Sequence, residues 1–167
     1  GPDFEPQWAF VPERTLEDGE RLHCCDSTLR ILHTPGHVSN HICLLLEEDG
    51  LLFAGDHILN GSTTVISPPD GDMRDYVAQL HRLADEPFDY ILPAHGHVIA
   101  GGRREVARLI AHRMARETKV LNALRNAGTP VTIDELVMTA YDDVDPAIRP
   151  VAKRSLAAHL LKLRDDG

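Results

Sequence analysis

This 167-residue sequence predicts an α/β chain that ends in a small helical module. Three observations lead there. Short apolar runs over residues 28–32, 42–46, 51–54 and 89–92 have the length of strands and break on glycine or polar residues. Two other stretches carry apolar residues at helical spacing, and the longer one runs for about seven turns. After Gly128-Thr129-Pro130 the strand signals stop and only short helical patterns remain.

Size and composition set the limits. The chain suits one ordinary domain, or one with a small appendage, and its 43% apolar content supplies a core. A formal charge of −9 and a pI near 5.5 describe a soluble acidic protein. No run approaches the roughly 18 apolar residues a spanning helix needs, and no basic-then-apolar leader opens the chain, so no membrane partner and a cytoplasmic location are expected. Three cysteines make an odd count and Cys24 adjoins Cys25, which suits reduced thiols better than a disulfide framework. Cys43, inside an apolar run, reads as a small hydrophobe. Ten histidines in this length need an explanation.

Residues 1–12 are rich in proline and aromatics without a period, and Gly1-Pro2 has the form of a protease scar. Asp18-Gly19-Glu20 marks a turn, after which residues 21–25 and 28–32 read as strands of a hairpin or meander. The run Ile42–Leu46 is almost wholly apolar and is expected to be covered on both faces. Asp49-Gly50 supplies the φ > 0 positions of a tight turn into the strand over 51–54, which ends at Gly55-Asp56. Residues 59–71 form a loop of Gly, Ser, Thr and Pro. Asp72 is the expected N-cap of a helix with Met73, Tyr76, Val77, Leu80 and Leu83 on one stripe, stopped by Pro87. A strand over 89–92 runs into Pro93-Ala94-His95-Gly96-His97. The helix over 102–127 puts Val106, Leu109, Ile110, Met114, Val120, Leu121 and Leu124 on its apolar face and the arginines on the other, with Gly128 at C′. Thr132 to Glu135 has the form of a capping box opening a helix through Tyr141. Asp145-Pro146 caps another, and residues 151–163 form the last. The chain thus divides into residues 1–128 and a small helical domain over 129–167.

Three of the strands finish on residues an interior strand would not choose: His33 to His37, Gly55-Asp56-His57, and His95-Gly96-His97. Strands that deliver histidine or aspartate at their C-terminal ends are how α/β proteins build metal and catalytic sites. His37, Asp56 and His95 are therefore candidate metal ligands meeting at one sheet edge. Imidazole nitrogen suits zinc, iron or manganese, and a carboxylate can bridge two such ions. A bridged pair activates a water and clamps the oxygens of a displacement at a phosphoryl or acyl centre, which makes Asp56 the candidate catalytic residue. His41, four residues beyond His37, is a candidate for supporting the ligands from behind. His57 and His97 border the site; they either touch substrate or sit as exposed loop histidines, the latter being favoured. Ser62, Thr63 and Thr64 offer hydroxyls to a phosphate or acyl group, or simply form a turn. His23, His33, His81, His112 and His159 have no converging partner and read as structural.

Taken in order, His33-Thr34-Pro35-Gly36-His37, Phe53-Ala54-Gly55-Asp56 and Pro93-Ala94-His95-Gly96-His97 resemble the third, fourth and fifth motifs of the metallo-β-lactamase superfamily. Residues 129–167 are similar to the small winged-helix domain that follows that fold in one branch, which includes endoribonuclease-like hydrolases. The stretch from Gly61 to Thr64 and on through Pro69 to Met73 is also typical of it. The resemblance spans nearly all of residues 18–167. It implies the second half of a four-layered αββα sandwich followed by a winged-helix-like domain. It also implies a site in which His37 binds one ion, His95 the other, and Asp56 bridges them. The parent enzyme would be a metal-dependent hydrolase of a phosphodiester, thioester or other ester, RNA included. Its cofactors would be two divalent ions, zinc first, with iron or manganese as alternatives. The superfamily's His-x-His-x-Asp-His motif, which supplies four ligands from the first half of the fold, is absent, and His95-Gly96-His97 is an isolated H-x-H. Each ion then keeps one histidine and the shared Asp56, and such a half-site is expected to hold metal weakly. The chain is accordingly expected to be the C-terminal part of a longer enzyme, through expression, proteolysis or gene truncation. Its sheet should carry an apolar face that the other half of the fold or a second copy covers.

The charge is unevenly placed. Residues 1–101 carry 17 acids against 5 bases, residues 102–128 carry 7 bases against 2 acids, and residues 129–167 carry 5 bases against 7 acids. Only the middle block attracts a polyanion, so the arginine face of residues 103–125 is the candidate RNA contact, with a solvated helix face as the alternative. The acidic balance of residues 129–167 argues against sequence-specific DNA binding by the last helix. In a competing class of reading, the chain is a non-catalytic remnant that binds a protein or nucleic-acid partner.

Overall fold

The computed structural model describes residues 12–167; the proline- and aromatic-rich start and the Gly1-Pro2 pair lie outside them. Its centre is a six-stranded sheet in sequential order: β1 (Arg21–Cys24), β2 (Ser27–His33), β3 (Ile42–Leu46), β4 (Leu51–Gly55), β5 (Tyr90–Pro93) and β6 (Ile99–Ala100). Neighbours are antiparallel except β4 and β5. An antiparallel pair needs only a tight loop, whereas a parallel pair needs a crossover. Residues 56–89 supply that crossover and contain helix α1 (Met73–Ala84), capped by the Asp72 carboxylate as predicted. The sequence carries no signal for β6, because two residues have no period. It exists through its pairing with β5, Ile99 against Ile91 and Ala100 against Tyr90.

The long helix α2 (Gly102–Ala127) runs the full predicted length and ends at Gly128 with φ 64°. Beyond it, α3 (Ile133–Ala140) is opened by the capping box, with both reciprocal bonds between Thr132 and Glu135 present. A 3-10 turn (Pro146–Ile148), capped by the Asp145 side chain, leads into α4 (Arg149–Asp166), which is longer at both ends than its apolar stripe predicts.

Two apolar clusters hold these elements. The first packs Leu32, Cys43, Leu45, Leu52, Ala54 and Ile91 of the sheet against Tyr76, Leu80 and Leu83 of α1 and Val106 and Leu109 of α2. The second joins Val120 and Ala123 of α2 to Leu136, Val137 and Ala140 of α3 and Leu156 of α4. Each large side chain so buried stabilises by roughly 1.5–3 kcal/mol. Ala158 of α4 belongs to the first cluster, so α4 is packed onto the sheet body as well as onto its own module.

Two expectations are corrected here. Among the described residues only one face of strand β3 is fully covered. Cys43 and Leu45 are fully buried, while Ile42 is 37% exposed and Leu44 and Leu46 are half-buried. The register sets Leu44 beside Phe53 and Leu46 beside Leu51, then Phe53 beside Leu92 and Leu51 beside Tyr90, so an apolar outer face runs across three strands. The second correction concerns the arginines of α2, which do not share one solvated face. Arg113 and Arg116 are buried, Arg108 pairs with Glu105, and Lys119 pairs with Asp142 and Asp143. Among the described residues only Arg103, Arg104 and Arg125 of this block are exposed and outside an ion pair. No helix among the described residues is long and apolar enough to cross a membrane.

Candidate metal centre

His37, Asp56 and His95 come together beyond the C-terminal ends of β2, β4 and β5, and the local backbone explains why. Gly36, at φ +134°, lets the loop after β2 lie directly on α1, where a Cβ would stand 2.4 Å from the Tyr76 Cα. The Asp72 N–H donates to the Gly36 carbonyl at 2.9 Å, tying the same loop to the helix cap. Gly55, at φ +51°, turns the chain out of β4 so that Asp56 leaves the sheet edge. The Ala94 N–H donates to the Gly55 carbonyl at 2.9 Å, and the Asn60 N–H donates to the His95 carbonyl at 3.3 Å, which brings the third ligand alongside.

The two histidines approach opposite oxygens of one carboxylate. His95 Nε2 lies 3.4 Å from Asp56 Oδ1, and His37 Nε2 lies 4.0 Å from Asp56 Oδ2. His37 Nδ1 donates to the Val65 carbonyl at 2.8 Å. A carbonyl only accepts, so that bond assigns the proton to Nδ1 and leaves the Nε2 lone pair facing Asp56, as a metal-binding imidazole requires. The Asp56 side chain is 40% exposed, yet its Oδ1 is shielded and has no hydrogen-bond donor among the described residues. A bare shielded carboxylate oxygen is costly, and a cation relieves it. The donor set therefore fits a divalent ion on each side of the carboxylate. Among the described residues no three His, Cys, Asp or Glu side chains converge closely enough to hold an ion alone. That follows from one histidine and one shared carboxylate per ion.

The surrounding candidates separate into support and rim. His41 does not touch the ligands; its Nδ1 is 2.8 Å from Thr34 Oγ1 and its Nε2 backs onto Gly55, filling the space a Cβ there would take. Burial, then the neighbouring His37, lowers its pKa. His57 is a correction, since it is neither exposed nor at the rim. It is fully buried, neither ring nitrogen has a partner among the described residues, and burial pushes its pKa down to about 3, so it is a neutral ring within the core. Its ring centroid lies 4.7 Å from that of Tyr76 and 5.6 Å from that of His41. His97 and Ser62 are exposed, and Thr63 is half-buried. Thr64 is buried and faces inward, sharing its hydroxyl between the carbonyls of Asp56 at 2.7 Å and His57 at 3.1 Å.

Two supporting residues escaped the sequence reading. The Tyr76 hydroxyl donates to the His57 carbonyl at 2.9 Å, and Arg113 Nη2 donates to the Thr64 carbonyl at 2.5 Å while its guanidinium sits 4.9 Å over the Tyr76 ring. Together they clamp the segment that carries Asp56. A signal was present: Arg113 and Arg116 follow Leu109 by four and seven residues, which places both on the buried side of α2.

Residues 2–95 match the family model of the metallo-beta-lactamase superfamily, and residues 132–167 match that of the beta-lactamase associated winged helix domain. The chain is 34% identical over 152 residues to the beta-lactamase-like protein 2 homolog of Caenorhabditis elegans, covering 91% of this chain and 50% of that one. It is 31% identical over 181 residues to an atrochrysone carboxyl ACP thioesterase of Aspergillus novofumigatus, covering 99% and 55%. The crystal structure of a metallo-beta-lactamase family protein from Thermus thermophilus superposes with a TM-score of 0.76 at 32% identity, over 91% of this chain and 49% of that one. A beta-lactamase domain protein from Burkholderia ambifaria gives 0.78 at 28% identity, over 95% and 49%. This chain therefore spans about half the length of these relatives. With the superfamily model matched over more than half of the chain and the winged-helix model over residues 132–167, the chain belongs to the metallo-β-lactamase superfamily, in the branch that carries the associated winged-helix domain.

Proposed function

We propose that this chain forms half of the metal-binding edge of a hydrolase that cleaves a thioester or another ester. His37 and His95 each face one ion and Asp56 lies between them. The observation that supports this most directly is the pair of Nε2 atoms on opposite oxygens of a carboxylate whose Oδ1 is shielded and bare. When bound, two divalent ions, zinc first with iron or manganese open, supply an activated water and charge stabilisation at the reacting centre. The chain's own residues hold that edge. Val65 keeps His37 in one tautomer, Thr64 and Tyr76 position the backbone around Asp56, and His41 and the neutral His57 pack behind it. Ser62, Thr63 and His97 stand at the rim, on the substrate side. Thioesters come first because relatives bear the name of thioesterases. RNA comes second, because most of the α2 bases that would follow phosphates are buried or paired. The apolar outer sheet face around Ile42, Phe53 and Tyr90 is the surface on which the first half of the fold would pack.

Metal analysis tests this reading. The chain alone is expected to retain under ~0.2 ion after desalting, since a site that lacks most of its ligands does not close. Joined to the first half of its fold it is expected to hold about two ions and to hydrolyse an acyl thioester. Asp56→Asn in the joined protein should lose the shared ligand together with at least one ion. Full metal content and undiminished hydrolysis in that variant would sink the assignment. A joined protein that binds no metal at all would favour the non-catalytic interaction module.

A further inference from the structure

We infer that the cavity between the sheet body and the helical module is a binding site for a small anionic group, a carboxylate or a phosphoryl group. The cavity measures about 160 Å³, and its walls include Arg113, Arg116, Tyr141, Ser155, Thr63 and His112. That is room for roughly five waters at about 30 Å³ each, or for one such group with a short stem.

Arg113 is what demands an anion. It is 2% exposed and forms no ion pair among the described residues. Among the described residues its hydrogen bond to the Thr64 carbonyl and its stacking over the Tyr76 ring are both with neutral groups, and its Nε is shielded without a partner. A guanidinium stays charged at any physiological pH, and a buried charge without a counter-charge is strongly penalised. Arg116, three residues on, is unlike it, because Asp143 binds both its Nη atoms at 2.8 and 3.2 Å. Tyr141 adds a second shielded donor on the same cavity wall, a hydroxyl with no partner among the described residues. Water would satisfy the donors but leave the charge unmet, and a cation would be repelled.

The location gives the site a use. A second cleft of about 320 Å³, lined by Asn60, Ser62, Thr63, Arg108 and His112, shares Thr63 and His112 with the cavity. Asn60 is bonded to the His95 carbonyl. A molecule anchored at Arg113 therefore reaches along this loop toward the metal edge. The anion is the distal, unreacting end of the substrate, and its binding orients the scissile bond. That use rests on the hydrolase reading above, whereas the anion site itself does not.

The test is calorimetric titration of the EDTA-treated chain, in which phosphate has no metal to bind, with inorganic phosphate and separately with acetate at constant ionic strength. One saturable site is expected for at least one of them. Tighter phosphate assigns a phosphoryl arm, and tighter acetate assigns a carboxylate arm. Arg113→Met should weaken binding by about tenfold or more, the worth of a charged hydrogen bond. Because that change also removes the bond to Thr64, Tyr141→Phe is the check on folding. It deletes only an unpartnered hydroxyl and should weaken binding by about threefold while leaving the urea midpoint in place. No saturable binding of either anion, or equal binding in wild type and both variants, overturns the site. Anion binding intact in this chain, with neither metal nor thioester hydrolysis in the protein joined to the first half of its fold, would fault the hydrolase reading alone.

Discussion

Replacing Gly36 with alanine would press a methyl group into the backbone of α1. The added Cβ would stand 2.4 Å from Tyr76 Cα, 2.5 Å from its N and 2.6 Å from its Cβ. Carbon contacts normally sit at about 3.5–4.0 Å, so the loop or the helix has to move by about 1 Å or more. Neither moves easily. Tyr76 is fully buried with its hydroxyl on the His57 carbonyl, and the Gly36 carbonyl holds the N–H of Asp72, whose side chain caps α1. Overpacking of this kind costs about 1–3 kcal/mol, and holding alanine at a positive φ costs about 1 kcal/mol more. A loss of ~2–4 kcal/mol in a chain of this size lowers Tm by roughly 5–15 °C. Urea unfolding followed by circular dichroism measures it, with Gly61→Ala as the reference. Gly61 also has a positive φ, +75°, but nothing lies within 4 Å of its added Cβ, so only the backbone term of about 1 kcal/mol applies. If Gly36→Ala costs no more than Gly61→Ala, the close approach of loop and helix is not what seats His37.

Three further outcomes are expected. Arg116→Met removes the bonds to Asp143 and to the Ala140 carbonyl and should destabilise the helical module by about 2–4 kcal/mol in urea unfolding. The hydrogen bond from Arg116 holds the Asp143 carboxyl down at about 2 against an ordinary 3.8. The stability it lends is therefore present above about pH 4 and lost as pH falls toward 2, and the variant should flatten that part of the acid-unfolding curve. His159 is fully buried, and burial drives its pKa to about 3 from an ordinary 6.5. As pH falls through 6.5 the unfolded chain takes up a proton that the folded chain refuses, so stability should fall with a slope that approaches about 1.4 kcal/mol per pH unit for this group by pH 5. Urea midpoints of His159→Gln between pH 7 and 5 should lose that share of the slope; an unchanged slope would place His159 in a protonated state instead. Finally, Cys24 and Cys25 are exposed while Cys43 is buried with its thiol pushed up to about 12. A native thiol titration should report two reactive cysteines, with the third appearing only on unfolding.

Much of the architecture was legible because its signals are local. Asp72, Gly128, the Thr132–Glu135 box and Asp145 each act on the few residues beside them, and all four cap or end their helices as read. The strand-end motifs were legible for the same reason: glycine turns at Gly36 and Gly55 and the residues they project are neighbours in the chain. Burial was harder to read. His57 looks in sequence like one more histidine beside a ligand, and only the packing of Tyr76 and His41 around it makes it a neutral core ring. The apolar run of β3 could not reveal that one of its faces is uncovered here, because composition records that a residue is apolar and not what lies against it.

By itself, then, the sequence determined the class and order of the elements other than β6, the caps that bound them, and the three strand-end side chains that the fold gathers at one sheet edge. Those follow from backbone preferences and from periods of two and 3.6 residues, which act over a few positions. The tertiary structure decided what the buried α2 arginines meet: Asp143 for Arg116, and the Thr64 carbonyl and Tyr76 ring for Arg113. It decided that Arg113 has no ion-pair partner among the described residues, and that Tyr141, 28 positions further along, stands on the same cavity wall. Whether a charge is met depends on what distant segments bring within a few ångströms of it, and that distance exists only once the chain has folded.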